Sequence, residues 1–293
     1  MHKTSSTEPG CSAVLTLSCP DTTGIVHAVS GFLLVEGGSI VESRQFSDPE
    51  SGTLFMRVAF EQVHGRELDL TRLREQFSTV ADRYSMTWRM VSANEPARVV
   101  IMVSREEHCL SELLYRNSVG DLHLDVVAVV SNHTDLRRVA EHFGVPFRHV
   151  PVTKEDKSQA EAALLQLVRE ERVDLVVLAR YMQILGDDVC KELEGRMINI
   201  HHSMLPSFKG ARPYHQAYVH GVKVVGATAH YVTADLDEGP IIEQQVATVD
   251  HTMSPAALIA RGREVERRAL ARAVRWHTEN RVLLNGRRTV VLQ

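Results

Sequence analysis

The densest run of chemically able side chains is Asn199-Ile200-His201-His202-Ser203-Met204-Leu205-Pro206-Ser207-Phe208-Lys209-Gly210. It follows a strand-like stretch, Met197 to Ile200. Strand alternation sends Asn199 and His201 to the same side. An amide and an imidazole at one strand end reach the same small electrophile. The amide donates to a developing oxyanion, and a protonated imidazole does the same or passes a proton. The pair would also serve simply to cap a sheet edge. Further along, His230-Tyr231-Val232-Thr233-Ala234-Asp235-Leu236-Asp237-Glu238-Gly239-Pro240 ends a second strand in a tight Gly-Pro loop. Asp237 facing His201 would raise the imidazole's pKa and fix its tautomer, as an acid–base site requires. Asp235 and Asp237 equally suit plain turn formation. His201, His202, His215, His220 and His230 form a rival, metal-binding constellation. They lack the i, i+4 spacing of HExxH and have no cysteine partner, so the expectation is no metal.

These side chains need a scaffold. From Arg98 onward, apolar runs alternate with helical spacing. Arg98–Val103, Leu124–Val130, Phe147–Val150 and Asp174–Ala179 read as strands, and Leu136–Phe143 and about Lys157–Glu171 as helices. Continuous apolar strands are covered on both faces, which argues for a mostly parallel sheet between helices. A parallel sheet holds its ligand crevice beyond the C-terminal strand ends, where the Asn199–His201 pair falls. Val222–Val232 and Ile241–Val249 read as the last strands. A long helix starts at Ser254-Pro255, with Leu258, Gly262, Val265, Ala269, Ala273 and Trp276 on one face. Its many arginines read as a solvated face.

The segment before Ala93-Asn94-Glu95-Pro96-Ala97 has another rhythm. Ala13–Ser18, Ser39–Phe46, Thr53–Phe60 and Ser85–Val91 read as strands. A helix lies after the first, capped at Asp21 or Thr22 and stopped at Gly37-Gly38, and another around Leu73 and Phe77. The order β-α-β-β-α-β is ferredoxin-like. The expected class is α/β: a ferredoxin-like domain over 10–93, then a Rossmann-like domain over 98–293.

Composition narrows the function. With 44% hydrophobic and 24% charged residues, the chain is expected to fold as a globule. Lys and Arg number 33 against 37 Asp and Glu, a net charge of −4 that lacks a nucleic-acid binder's footprint. No apolar run nears the ~20 residues of a membrane helix, and the polar start lacks a signal peptide's apolar core. Cys11, Cys19, Cys109 and Cys190 are far apart, as expected of a cytoplasmic protein without a disulfide framework.

The string NIHHSMLPSFKGARPYHQAYVHGVKVVGATAHYVTADLDEGPIIEQ resembles the folate-dependent formyltransferase family. Its N-x-H, L-P-x-[FY]-x-G and D-x-D-x-G elements occur in the family's order, and the resemblance covers about residues 96–290. It implies that Asn199, His201 and Asp237 are catalytic. It also implies a folate slot formed by Leu178, Met182, Gln183 and Leu185 with Val232, Thr233, Ala234 and Asp235; the family often has arginine where Gln183 stands. Residues 10–93 resemble an ACT domain, a module that binds amino acids or pairs subunits. This implies an effector pocket at Asp21, Gly24 and Gly38 and a homo-oligomer, dimer or tetramer. An ACT domain ahead of this catalytic type resembles the branch of the family that gives the formyl group to water. The implied reaction is hydrolysis of 10-formyltetrahydrofolate, as substrate and without a cofactor, supplying formate for purine synthesis. Transfer to an amine such as glycinamide ribonucleotide is the alternative. Val103-Ser104-Arg105-Glu106-Glu107-His108-Cys109 lacks glycine where the amine-using relatives cradle a phosphate, which favours water.

Overall fold

The computed structural model describes residues 12–63, 68–153, 156–206 and 213–293. The polar amino terminus, Gly10 and Cys11 at the start of the expected first domain, and Ser207 to Gly210 of the N-x-H segment lie outside them. Two compact units divide at Glu95/Pro96.

The first unit runs β1 (Ser12–Pro20), α1 (Ile25–Val35), β2 (Gly38–Asp48), β3 (Thr53–Gln62), α2 (Leu70–Arg83) and β4 (Thr87–Ser92). The strands pair antiparallel in the order β2-β3-β1-β4. Leu15, Leu17 and Phe60 from the sheet meet Leu33 and Phe77 from the helices in one core. The residue capping α1 is neither Asp21 nor Thr22. Gly24 takes the position with φ 92° and no side-chain hydrogen bond, a left-handed conformation that glycine adopts without strain.

The second unit runs β5 (Ala97–Val103), α3 (His108–Ser118), β6 (Leu124–Ser131), α4 (Arg137–His142), β7 (Phe147–His149), α5 (Lys157–Glu170), β8 (Leu175–Leu178), α6 (Asp187–Glu192), β9 (Met197–His201), α7 (Pro213–Val219), β10 (Val224–Tyr231), β11 (Ile241–Thr248) and α8 (Pro255–Thr278). The sheet order is β11-β10-β9-β8-β5-β6-β7, parallel from β9 through β7, with β10 and β11 antiparallel at one edge. The chain builds outward from β5 to β7, then restarts on the other side of β5 with β8. That reversal opens a crevice between the C-terminal ends of β5 and β8. Helices α6 and α7 were not expected.

Two last strands, β12 (Val282–Asn285) and β13 (Arg288–Val291), pair with each other. The sequence reading gave all of the chain's end to the second domain. Contacts instead place Glu279–Leu283 and Val290–Gln293 with the first unit. The physical reason is charge: buried Arg57 donates to Glu279 O (3.0 Å) and pairs with Glu42 at 2.5 Å, and Arg281 pairs with the same carboxylate at 3.1 Å. Among the described residues, no helix is long and apolar enough to cross a membrane.

Candidate active site

The ends of β5, β8 and β9 and the loop after β10 enclose a cleft of about 710 Å³ within the second unit. Each strand end is pinned. Ser104, just past β5, donates to Asn132 Oδ1 (2.8 Å) and accepts Met182 N–H (3.0 Å), tying the β8 loop down. Thr228 of β10 accepts Leu205 N–H (3.0 Å) and donates to Ser203 O (2.9 Å), holding the chain that leaves β9.

Asn199 and His201 both reach the cleft from β9. Asp237 Oδ1 stands 3.3 Å from His201 Nδ1. The His201 Nε2 atom is buried and has no partner among the described residues. One ring nitrogen is therefore engaged by a carboxylate, and the other is free for a bound molecule. The bond to His201 holds the Asp237 carboxyl below its ordinary value, against the opposing effect of burial. Asp237 sits at φ 58°, unusual for a residue with a Cβ. The loop around it is tight, since a Cβ on Gly239 would lie 1.7 Å from Tyr231 O.

His230 completes this group, and the sequence reading gave it no role beyond a possible metal ligand. Its Nδ1–H donates to Tyr231 O (2.8 Å), so Nε2 accepts from Asn199 Nδ2 at 3.2 Å. Burial lowers its pKa, in keeping with a neutral ring. One amide hydrogen of Asn199 is thus spent on fixing the amide plane, and the other remains available.

A second polar group lines the cleft. Glu266 of α8 is 1% exposed. It accepts from Tyr214 Oη at 2.6 Å and faces His108 Nε2 at 2.7 Å and Arg180 Nε at 3.4 Å. Burial pushes its carboxyl up, but the bond from His108, the Arg180 charge and the bond from Tyr214 outweigh it and hold the carboxyl below its usual value. Arg180 Nη1 also contacts His202 Nδ1. Sequence reasoning missed this group. The one signal was an acidic residue beside Val265, on the buried stripe of α8.

Of the five histidines between His201 and His230, His201, His202 and His230 line the cleft and His215 and His220 do not. Among the described residues, the metal-ligating types that come within 4.8 Å are His108, Cys109 and Glu266. That carboxylate already carries its donors, and burial pushes the Cys109 thiol well up, so this set is built for hydrogen bonds and charge pairing. Of the expected folate-slot residues, Leu178, Met182, Gln183, Leu185, Val232, Thr233 and Ala234 line the cleft. Asp235 does not: it is exposed, and its carbonyl accepts Thr233 Oγ1 at 3.0 Å within the turn.

Comparison with known proteins extends these findings. The formyl transferase family model matches residues 97–274. Formyltetrahydrofolate deformylase of Corynebacterium sp. (strain P-1) is 55% identical, over 96% of this chain and 98% of that protein. The Bacillus subtilis (strain 168) protein of the same name is 47% identical, over 94% and 92%. A crystal structure of formyltetrahydrofolate deformylase from Burkholderia mallei matches with a TM-score of 0.92 at 48% identity, over 97% of this chain and all of that one. Glycinamide ribonucleotide transformylase 1 from Symbiobacterium toebii matches with a TM-score of 0.64 at 32% identity, over 69% of this chain and 97% of its own. The transformylase likeness stops well short of the whole chain, whereas the deformylase likeness runs almost end to end, and by that extent the chain belongs to the formyltetrahydrofolate deformylase family.

Proposed function

We propose that this chain hydrolyses 10-formyltetrahydrofolate to formate and tetrahydrofolate, with Asn199, His201 and Asp237 as the catalytic residues. The observation that carries it is the unpartnered Nε2 of His201 in the cleft wall, with Asp237 on the ring's other nitrogen. Water attacks the formyl carbon and forms a C–O bond, and its proton passes to the Asp237 carboxylate. The former carbonyl oxygen becomes an oxyanion held by the free amide hydrogen of Asn199 and by Nε2–H of protonated His201. Each such donor is typically worth about 3–4 kcal/mol. The C–N10 bond then breaks, and N10 takes its proton from His201. Leu178, Met182, Gln183 and Leu185, with Val232, Thr233 and Ala234, form the folate slot; Asp235 is not part of it.

Water is favoured as the acceptor by the loop between β5 and α3, where Glu106 pairs with Arg263 at 2.6 Å. That pairing occupies the Arg263 guanidinium, and the loop has no glycine to bring backbone amides close to a nucleotide phosphate. In the same proposal the first unit is an ACT domain. Its strand order supports that reading, and its effector pocket is placed near Asp21, Gly24 and Gly38. Edge strand β2 exposes Ile40, Val41 and Phe46, which supports pairing with a second copy. Buried free thiols at Cys19, Cys109 and Cys190 suit a cytoplasmic setting.

The deciding experiment is incubation with 10-formyltetrahydrofolate and no acceptor. Formate and tetrahydrofolate should appear in equal amounts at an enzymatic rate. Product formation only after an amine is added would point to transfer instead.

A further inference from the structure

A second imidazole stands beside the first. The rings of His201 and His202 stack with centroids 5.1 Å apart and planes 22° from parallel, and His202 lines the same cleft. Its Nδ1 faces Nη1 of Arg180. A guanidinium has only donors and keeps its charge at any working pH. Nδ1 must therefore present its lone pair, and a neutral ring then carries its hydrogen on Nε2. That N–H is the one left to meet a molecule in the cleft that His202 lines.

Arg180 is held for this task. It sits at φ 65°, a conformation that costs energy for a residue with a Cβ. Its Nε lies at ion-pair distance, 3.4 Å, from Glu266, although without the alignment of a hydrogen bond. Glu266 is anchored in turn by Tyr214 and His108. The charged and titratable groups acting on His202 are thus Arg180 and His201, which disfavour its protonation, and Glu266 and Asp237, which favour it; the Tyr214 ring lies 6.3 Å away. Burial is the largest influence, and with Arg180 it brings the ring's pKa down to about 4.

We propose that His202 is a further catalytic residue, a fixed neutral donor whose Nε2–H binds the oxygen of the attacking water, with Arg180 and Glu266 as positioning residues that set its tautomer. It gives the reaction centre two imidazoles with separate tasks. His201 moves a proton and His202 never does. The water uses one lone pair to accept from His202 and the other to attack the formyl carbon, while its proton leaves toward Asp237. This rests on the hydrolytic function proposed above.

The test starts with formate release by the wild-type enzyme from 10-formyltetrahydrofolate alone. Failure at that step overturns the hydrolytic function and leaves nothing for His202 to assist. With hydrolysis in place, His202→Phe should lower kcat about 100-fold with KM within about threefold, the usual cost of one lost donor. His202→Gln, which keeps a donor, should recover about tenfold of that. Arg180→Met removes the second of the influences that oppose protonation of His202 and should shift the acidic side of the kcat/KM profile to higher pH than in the wild type. In folded wild-type enzyme, nitrogen NMR of labelled histidine should show His202 as the Nε2–H tautomer at pH 7, independent of how any variant folds. A wild-type kcat in His202→Phe, an Arg180→Met profile that superimposes on the wild type, or a His202 ring carrying hydrogen on Nδ1 at pH 7 would each overturn the proposal.

Discussion

At the scale of single residues, the site separates charge from neutrality among near neighbours. Asp237 is held ionised by His201, whereas His230 is kept neutral by burial and His202 by burial and Arg180. Asp237→Asn should therefore lower kcat by two or more orders of magnitude with little change in KM, since the charge it removes faces His201 and not the folate slot. Steady-state kinetics on formate release checks this. The buried imidazoles also set an acid limit on stability. A histidine whose folded pKa lies below its unfolded 6.5 binds fewer protons when folded, so stability falls as pH drops. For His202 the loss begins near pH 6.5 and continues to about 4, at about 1.4 kcal/mol per pH unit. Urea unfolding at pH 7, 6 and 5 should show this slope, and His202→Asn should make it shallower. Asn199, His201 and Asp237 were legible in the sequence because strand ends and a Gly-Pro loop advertise them. His230 and Arg180 were not: one is a histidine among many, and the other owes its position to a backbone angle that no local pattern announces.

At the scale of elements, α8 acts as more than a cover for the sheet. Its buried stripe was readable from Leu258 to Trp276, because apolar spacing survives any function. What spacing does not reveal is that the stripe carries Glu266 into the cleft, one turn beyond Gly262. A Cβ at Gly262 would fall 2.0 Å from Tyr214 Cζ. Gly262→Ala should push the Tyr214 ring from α8, weaken its bond to Glu266 and destabilise the protein by about 1–3 kcal/mol. Thermal unfolding measures the first effect, and a kcat drop larger than the change in folded fraction reports the second. The short helices α6 and α7 span less than two turns each and escaped sequence reading, whereas α4, equally short, was legible from the apolar spacing of Leu136, Val139, Ala140 and Phe143 around it.

At the scale of the whole molecule, two units with different sheets share one chain. The first has an edge strand with exposed apolar side chains, which is costly to leave in water and a template for pairing. Phe46→Asp combined with Val41→Asp should shift the protein to a smaller species in sedimentation velocity while its far-UV circular dichroism stays unchanged. An unchanged sedimentation coefficient would place any self-association elsewhere. The division at Glu95/Pro96 was visible in the sequence as a short polar linker. The assignment of the chain's end was not, because the ion pairs that decide it join residues more than two hundred positions apart.

That return of the chain has a consequence for how the protein is made. Glu42 and Arg57 leave the ribosome more than two hundred residues ahead of Arg281 and the Glu279 carbonyl. At roughly 5–20 residues per second, the interval is on the order of ten seconds or more. Throughout it the first unit holds a buried arginine and a carboxylate whose full set of partners does not yet exist. The first unit is therefore sealed by codons read long after its own strands, and a frameshift just ahead of Glu279 would injure a unit already made.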